Sequence, residues 1–132
     1  MKILLDTHAI IWSTIAPEKL SAHANENIAD AENEIFVSAV SIWEISIKYG
    51  LGKFKLGGGT PVDILSECKK LEFKLIPLQA IEAATYFQLP LKFHKDPFDR
   101  MLVWQAIQNR YHLMSKDKNL SEYRQHGLLV SW

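Results

Sequence analysis

The chain opens Met1-Lys2-Ile3-Leu4-Leu5-Asp6-Thr7-His8-Ala9-Ile10-Ile11-Trp12, and a change of period inside that stretch decides the fold. Ile3 to Leu5 is a short apolar run of β type. From Thr7 the pattern becomes helical and runs to about Ile15, stopping before Pro17. A strand giving way at once to a helix is the start of a βαβ unit. Comparable apolar runs return at Ile35 to Val37, Phe73 to Ile76, His112 to Met114 and Leu128 to Val130. Helical patterns lie between them. A polar one follows Ser21, one carries Val40, Trp43 and Ile47 on one side, one follows Pro61, and one covers about Gln79 to Phe87. The last begins at Pro97, a favoured first helical residue, and runs to about Arg110. The alternation predicts an α/β fold, with a central, mostly parallel sheet of about five strands and helices on both faces.

A chain of 132 residues, 48% hydrophobic and 23% charged, has the size and composition of one globular domain, here read as residues 1–132. It is long enough to bury a core without a metal or disulfide. Gly57-Gly58-Gly59 with Thr60 and Pro61 reads as a mobile loop, too short for a domain linker. The single Cys68 makes no internal disulfide, and cytoplasm is the default compartment. Asp6 and His8 interrupt the apolar run that would begin a signal peptide, and no stretch approaches the ~20 apolar residues of a membrane span.

Fifteen Lys and Arg balance fifteen Asp and Glu, which argues against a strongly basic nucleic-acid coat or a membrane-surface patch. The balance is not local. Residues 1–47 carry seven acids and two bases (net −5), residues 48–75 three and six (net +3), and residues 76–132 five and seven (net +2).

In an open parallel sheet ligands bind beyond the carboxyl ends of the strands, where loops and helix N-termini converge. Four acids are aimed at that edge. Asp6 follows the first strand, Glu44 lies in the helix after the second, Asp99 is in the first turn of the helix after Pro97, and Asp117 lies just past His112 to Met114. Glu44 shares a helix stripe with Val40 and Ile47, and Asp99 one with Leu102, Val103 and Ala106, so both point inward or into a cleft. Each acid also has a local role open to it. Asp6, Asp96 and Asp117 are placed as N-caps, Asp99 falls where a carboxylate favours a helix start, and Lys48 stands at i+4 from Glu44. Separate local roles do not explain why the acids converge on one edge. A cluster of hard oxygen ligands suits Mg²⁺ or Mn²⁺. One Cys, and histidines at positions 8, 23, 94, 112 and 126 without ligand spacing, disfavour zinc and leave the histidines as surface or structural residues. Such an ion can polarise a phosphoryl oxygen and activate water, the chemistry of phosphodiester hydrolysis.

The segments Leu4-Leu5-Asp6-Thr7-His8-Ala9-Ile10-Ile11-Trp12, Val37-Ser38-Ala39-Val40-Ser41-Ile42-Trp43-Glu44-Ile45-Ser46-Ile47-Lys48, His94-Lys95-Asp96-Pro97-Phe98-Asp99-Arg100-Met101-Leu102-Val103 and Ser115-Lys116-Asp117 resemble the ordered motifs of PIN-domain proteins. More closely they resemble the VapC-type toxins of bacterial type II toxin-antitoxin systems. Each motif is weak alone; four in order across nearly the whole chain are specific. The resemblance implies a PIN-like three-layer sandwich and a metal-dependent endoribonuclease. Asp6, Glu44 and Asp99 would be the primary catalytic and Mg²⁺- or Mn²⁺-binding set, with Asp117 as the fourth. It implies a homodimer and a cognate antitoxin whose C-terminal segment covers the cleft. Trp104 is larger than such helices often carry at that place, a departure that bears on packing.

Thr7 and Ser115 are placed either to orient water or a carboxylate, or to serve a turn or cap. Arg100 reads as steadying the site, touching phosphate, or forming a salt bridge. Lys48, Lys53, Lys55, Lys92, Lys95, Lys116 and Lys118 would track an RNA backbone or form a solvated face. Trp12, Trp43 and Trp104, with Ile10, Ile11, Ile42 and Ile45, supply core and, where exposed, a dimer face or antitoxin groove. The alternative to an enzyme is a PIN-like binding module for RNA or a protein partner, against which a complete acid set speaks. A receiver-type phosphoacceptor domain needs an acceptor Asp ending a central strand, and Phe73 to Leu78 contains none.

Overall fold

The structure, a computed structural model, describes residues 1–90 and 96–132. Lys92, His94 and Lys95 lie outside the described residues. Among those described, β1 (Lys2–Leu5) is the middle strand of a five-stranded sheet. β2 (Glu34–Ser38) and β4 (His112–Met114) lie on either side of it, and β3 (Lys74–Ile76) and β5 (Leu129–Ser131) form the edges. All four pairings are parallel, with Ile3 opposite Ile35 on one side and His112 on the other. The helices are α1 (Thr7–Ile15), α2 (Ala22–Ala29), α3 (Ala39–Gly50), α4 (Pro61–Lys70), α5 (Ala80–Thr85) and α6 (Pro97–Asn109). Short 3-10 segments lie at Pro17–Lys19, Tyr86–Gln88 and Lys118–His126.

β1 is apolar throughout its last three residues because both faces of the sheet are covered. Ile3 and Leu5 pack with Ile10, Val37, Ile45, Ile64 and Met114 on one face. Leu4 packs with Phe36, Leu102, Val103, Trp104 and Leu113 on the other. The strand's two-residue period divides the core into two layers. Cys68 is buried in the first layer, and burial pushes its thiol up to about 11, so little thiolate forms at neutral pH.

The expected elements are all present, with local differences. β5 lies one residue later than the apolar run suggested. The helix expected to Phe87 ends at Thr85 and tightens into a 3-10 turn. α6 stops when Arg110 adopts a left-handed conformation at φ 56°. The glycine stretch forms a turn in which Gly57 and Gly58 take positive φ, leading to a reciprocal cap between Thr60 and Asp63. α3 is rotated from its expected face: Val40, Ser41, Glu44 and Ile45 are buried, while Trp43 is 61% exposed. The cause is its position between the layers, with Val40 packed on one and Ile45 on the other. No described helix is long and apolar enough to cross a membrane.

The order of strands sets the site. From β1 the chain steps outward through β2 to β3, then returns to place β4 and β5 on the other side of β1. The direction of winding therefore reverses between β1 and β4, and a crevice opens at their carboxyl ends. The fold rests on β1, so Leu4→Ala, which empties a fully buried position, is expected to cost ~2–5 kcal/mol. The measurement is the shift of the urea unfolding midpoint.

Candidate functional site

Asp6 is the residue that leaves β1 at this crevice. Its backbone N–H donates to the Met114 carbonyl at the end of β4 (3.1 Å), and its carboxylate accepts from the Ala9 N–H (2.8 Å), capping α1. Only 8% of the residue is exposed. Burial pushes its carboxyl above the ordinary carboxylate value, opposed by hydrogen bonds from the Ser115 hydroxyl and the Ala9 amide and by the nearby His8; the Glu44 charge reinforces the rise. A buried acid in this state is stabilised by a cation.

Asp6, Asp99 and Asp117 line one open pocket of about 370 Å³ together with His8, Trp12 and Lys116. They arrive from three elements. Asp99 stands in the first turn of α6, where its charge complements the helix N-terminus. Asp117 follows β4 and caps the segment Lys118–His126 by accepting from the Asn119 N–H (2.9 Å), and its own N–H donates to the Ser115 hydroxyl (3.1 Å). Asp96 caps α6 through the Phe98 N–H (2.9 Å). Capping and facing the pocket are thus compatible for Asp6 and Asp117: the cap fixes the backbone from which the carboxylate projects.

Glu44 does not line the pocket. It is buried beside it, accepting from the Thr7 hydroxyl (2.5 Å) and paired with Lys48. Burial opposes the charge on Lys48, but the bond to Glu44 and the charges of Glu44, Asp96 and Asp99 together hold the ammonium above its ordinary value. Lys48 therefore already answers the acids as a cation. Thr7 and Ser115 act on carboxylates, holding Glu44 and Asp6 respectively. Arg100 is 2% exposed and out of a phosphate's reach. Its guanidinium donates to the carbonyls of Leu89 and Pro90 and the hydroxyls of Tyr86 and Tyr123, stitching α6 to the segments on either side. His8 is on the surface as expected, but its ring also borders the pocket. With Trp12 it belongs to the site, for which the signal was their i, i+4 spacing on α1 directly after Asp6.

The donor chemistry fits a hard divalent ion: three carboxylates share the pocket, and burial disfavours the charge of the most buried of them. Among the described residues no group of three acids or histidines is drawn together closely enough to ligate one ion. The carboxylates border a pocket rather than close a cage.

A parallel α/β sandwich with acids gathered at its winding reversal defines a class of acidic-site domains. The chain belongs to the PIN domain family, whose model matches residues 3–125. It is 29% identical over 132 residues to Ribonuclease VapC22 of Mycobacterium tuberculosis, with 98% of each chain covered. Its fold matches the crystal structure of VapBC2 from Rickettsia felis bound to a DNA fragment from the promoter, with a TM-score of 0.69 and 18% identity. That match covers 100% of this chain and 99% of the other. A toxin-antitoxin complex from Klebsiella pneumoniae matches with a TM-score of 0.60 and 15% identity, covering 98% and 96%.

Asp6→Asn keeps a capping side chain and removes the buried charge. Because the Asp6 carboxyl titrates higher in the folded chain than in the unfolded one, its stabilising contribution is present at low pH and lost as pH rises through the raised value. The melting temperature of wild type is expected to fall relative to Asp6→Asn over that range. Mn²⁺ is expected to raise the wild-type melting temperature and leave Asp6→Asn nearly unmoved; equal shifts in both would remove Asp6 from the ligand set.

Proposed function

We propose that this PIN domain is a divalent-metal-dependent ribonuclease toxin, hydrolysing RNA phosphodiester bonds and neutralised by a cognate antitoxin. The observation that carries the reading is the convergence of Asp6, Asp99 and Asp117 on one pocket where the sheet's winding reverses. The resemblance to a VapC ribonuclease along the whole chain supports it. In this reading Asp6, Asp99 and Asp117 hold Mg²⁺ or Mn²⁺. Glu44 completes the set from beside them, with Lys48 as the cation that the ion displaces. A bound divalent ion would supply Lewis acidity toward a phosphoryl oxygen and would make a water molecule on it more acidic than bulk water. Ser115 and Thr7 orient Asp6 and Glu44 by hydrogen bonds, and Lys116 provides positive charge at the rim for the incoming phosphate.

The test is incubation of total RNA with the purified protein in Mg²⁺ or Mn²⁺. Cleavage is expected to stop in EDTA and to fall by at least ~10–100-fold in Asp6→Asn and Asp99→Asn, the range seen when even a residue behind a metal ligand is lost. Cleavage unchanged by EDTA and by both substitutions would overturn the metal site. RNA binding without cleavage would turn the reading toward the binding module.

We also propose a homodimer and assign its face. Trp43, Ile42, Leu65 and Leu75 border an apolar groove of about 360 Å³ along the edge of the sheet. Val62, 70% exposed and one turn before Leu65 on α4, adds apolar surface on the same helix face. Contiguous exposed apolar surface of this kind marks an interaction site. Light scattering on the purified protein is expected to give a dimer, and Trp43→Asp to shift it toward monomer with the melting temperature of the monomer unit little changed.

A further inference from the structure

Lys48 stands between two partners of different kinds. Its ammonium pairs with the Glu44 carboxylate one turn back on α3, and the same Nζ lies 5.3 Å from the centre of the Phe54 ring. The ring is held there by the backbone of Lys48 itself. α3 ends at Gly50, Gly52 takes a positive φ, and the Lys53 and Phe54 N–H groups both donate to the Lys48 carbonyl (2.8 and 3.3 Å). Phe54 also packs against the first core layer, and the His8 ring meets it edge-on at 5.7 Å. On the other side of Lys48, both oxygens of Glu44 are engaged: Oε1 accepts from the Thr7 hydroxyl and Oε2 from the Lys48 ammonium. The charges of Asp96 and Asp99 act on the same ammonium, whose side chain is 27% exposed.

We propose that Lys48 is a resident cation with two seats, Glu44 when no divalent ion is bound and the face of the Phe54 ring when one is, so that Lys48 and Phe54 together set how readily the acidic site loads. The inference rests on the reading of the acids as a divalent-ion site and extends it to the regulation of that site. Glu44 is only 2% exposed, and an ammonium and a dication side by side on one such carboxylate repel each other with little screening. The ion therefore releases the ammonium. Its stem stays anchored on α3, so it needs a partner within a short swing. A ring face attracts an ammonium within about 6 Å of its centre, and more strongly as the cation closes on it and sheds water. At 5.3 Å Lys48 is near the edge of that range, and release from Glu44 lets it close on the ring without first losing the contact. Water is the competing destination, but the turn already holds the ring in place, so seating the ammonium requires no further ordering of the partner. By linkage, the ion weakens the Glu44–Lys48 pair by the same factor by which that pair weakens the ion. A fixed ion pair on the flank of α3, the purely structural alternative, gives Phe54 no part in metal binding.

The test is titration of the purified, metal-stripped protein with Mn²⁺, the free ion being counted by its electron paramagnetic resonance signal. Lys48→Met, which keeps the stem without the charge, is expected to bind Mn²⁺ ~5–150-fold more tightly than wild type, the usual span of coupling between two sites. Phe54→Leu is expected to weaken binding by ~2–5-fold, the effect of an exposed cation–π contact, and Phe54→Tyr, which keeps a ring face, to leave it little changed. In the Lys48→Met background Phe54→Leu is expected to have no effect, because the ring has no ammonium to receive; such a cycle isolates the pair from any general role of Phe54 in packing. A second measurement needs no lysine variant. On addition of Mg²⁺ the ε-methylene proton resonances of Lys48 are expected to move upfield in wild type, as the side chain enters the shielding region of the Phe54 ring, and not to do so in Phe54→Leu. Equal Mn²⁺ affinity in wild type and Lys48→Met would overturn the proposal, as would a Phe54→Leu effect of the same size in both backgrounds. Should Lys48→Met not fold, methylene resonances that fail to move upfield in wild type would overturn it. Mn²⁺ bound without regard to Lys48 and Phe54 would remove the two seats alone and leave the metal site standing. Mn²⁺ bound by no variant would remove the metal site itself and the two seats with it. No RNA is present, so a protein that shows the two-seat response but cuts no RNA would remove the ribonuclease reading alone.

Discussion

Asp6 must leave the middle strand of a sheet covered on both faces, and it does so where the winding of the sheet reverses. The burial of Leu4 and Leu5 fixes the residue's depth, and the Asp6 N–H bond to the Met114 carbonyl fixes its place against β4. The carboxylate therefore has little freedom to move toward water. Its charge is opposed by burial, and the Ser115 hydroxyl and the Ala9 amide recover only part of that cost. An isolated buried carboxylate costs several kcal/mol. The rest of the site answers this one awkward placement: Ser115, the Ala9 amide and His8 favour the negative group, while Glu44 opposes it and Asp99 and Asp117 share its pocket.

The balance is built in two tiers. Hydroxyls act close in, with Ser115 on Asp6 and Thr7 on Glu44, and Lys48 neutralises Glu44 from the next turn of α3. Thr7 follows Asp6 in the chain while its hydroxyl reaches α3, so the start of α1 ties the two acids together. This explains why α3 turns Glu44 inward and leaves Trp43 outside. The stripe that buries Val40 and Ile45 on opposite layers carries Glu44 between them, and a charge there is tolerable only because Thr7 and Lys48 meet it. A buried polar network of similar kind supports the opposite side. Ser38 donates to Gln105 (2.6 Å), Gln105 to Glu82 (3.0 Å), and Asn109 to Glu82 (2.9 Å), joining β2, α6 and α5 beneath the sheet edge.

What could be read from the sequence was whatever is local. Strand and helix periods located the elements to within a residue or two, and Pro97, Ser21 and Asp96 marked helix starts because their chemistry acts on the next few amides. The convergence of Asp6, Asp99 and Asp117 on one pocket was legible for the same reason, because a strand end or a first helical turn points a side chain toward a known edge; Glu44, in the second turn of α3, lies beside that pocket and not in its lining. Pairings across the chain were not. Thr7 and Glu44 are 37 residues apart, and Ser38 and Gln105 are 67 apart; no period relates them. The partners of Arg100 were hidden in the same way. Among the described residues they include two carbonyls and two tyrosine hydroxyls that become neighbours only when the chain packs around α6. The face of α3 was misjudged because hydrophobicity alone favours burying Trp43, whereas a helix wedged between two layers must turn Val40 and Ile45 in.

The charge gradient along the chain takes on a meaning in space that its neutral total hides. Asp6 and Glu44 come from the acidic first third, Asp99 and Asp117 from a segment that is otherwise basic, and packing joins them beside Lys48 and Lys116. An anionic strand approaching that surface is attracted by its rim and repelled by its centre. Screening at physiological salt, with a Debye length of about 8 Å, lets the two fields be felt separately by phosphates lying over the rim and over the pocket. Such a surface selects for a ligand that brings positive charge to the middle and negative charge to both sides. On the proposed reading a metal ion and an RNA strand meet that requirement together, and neither meets it alone.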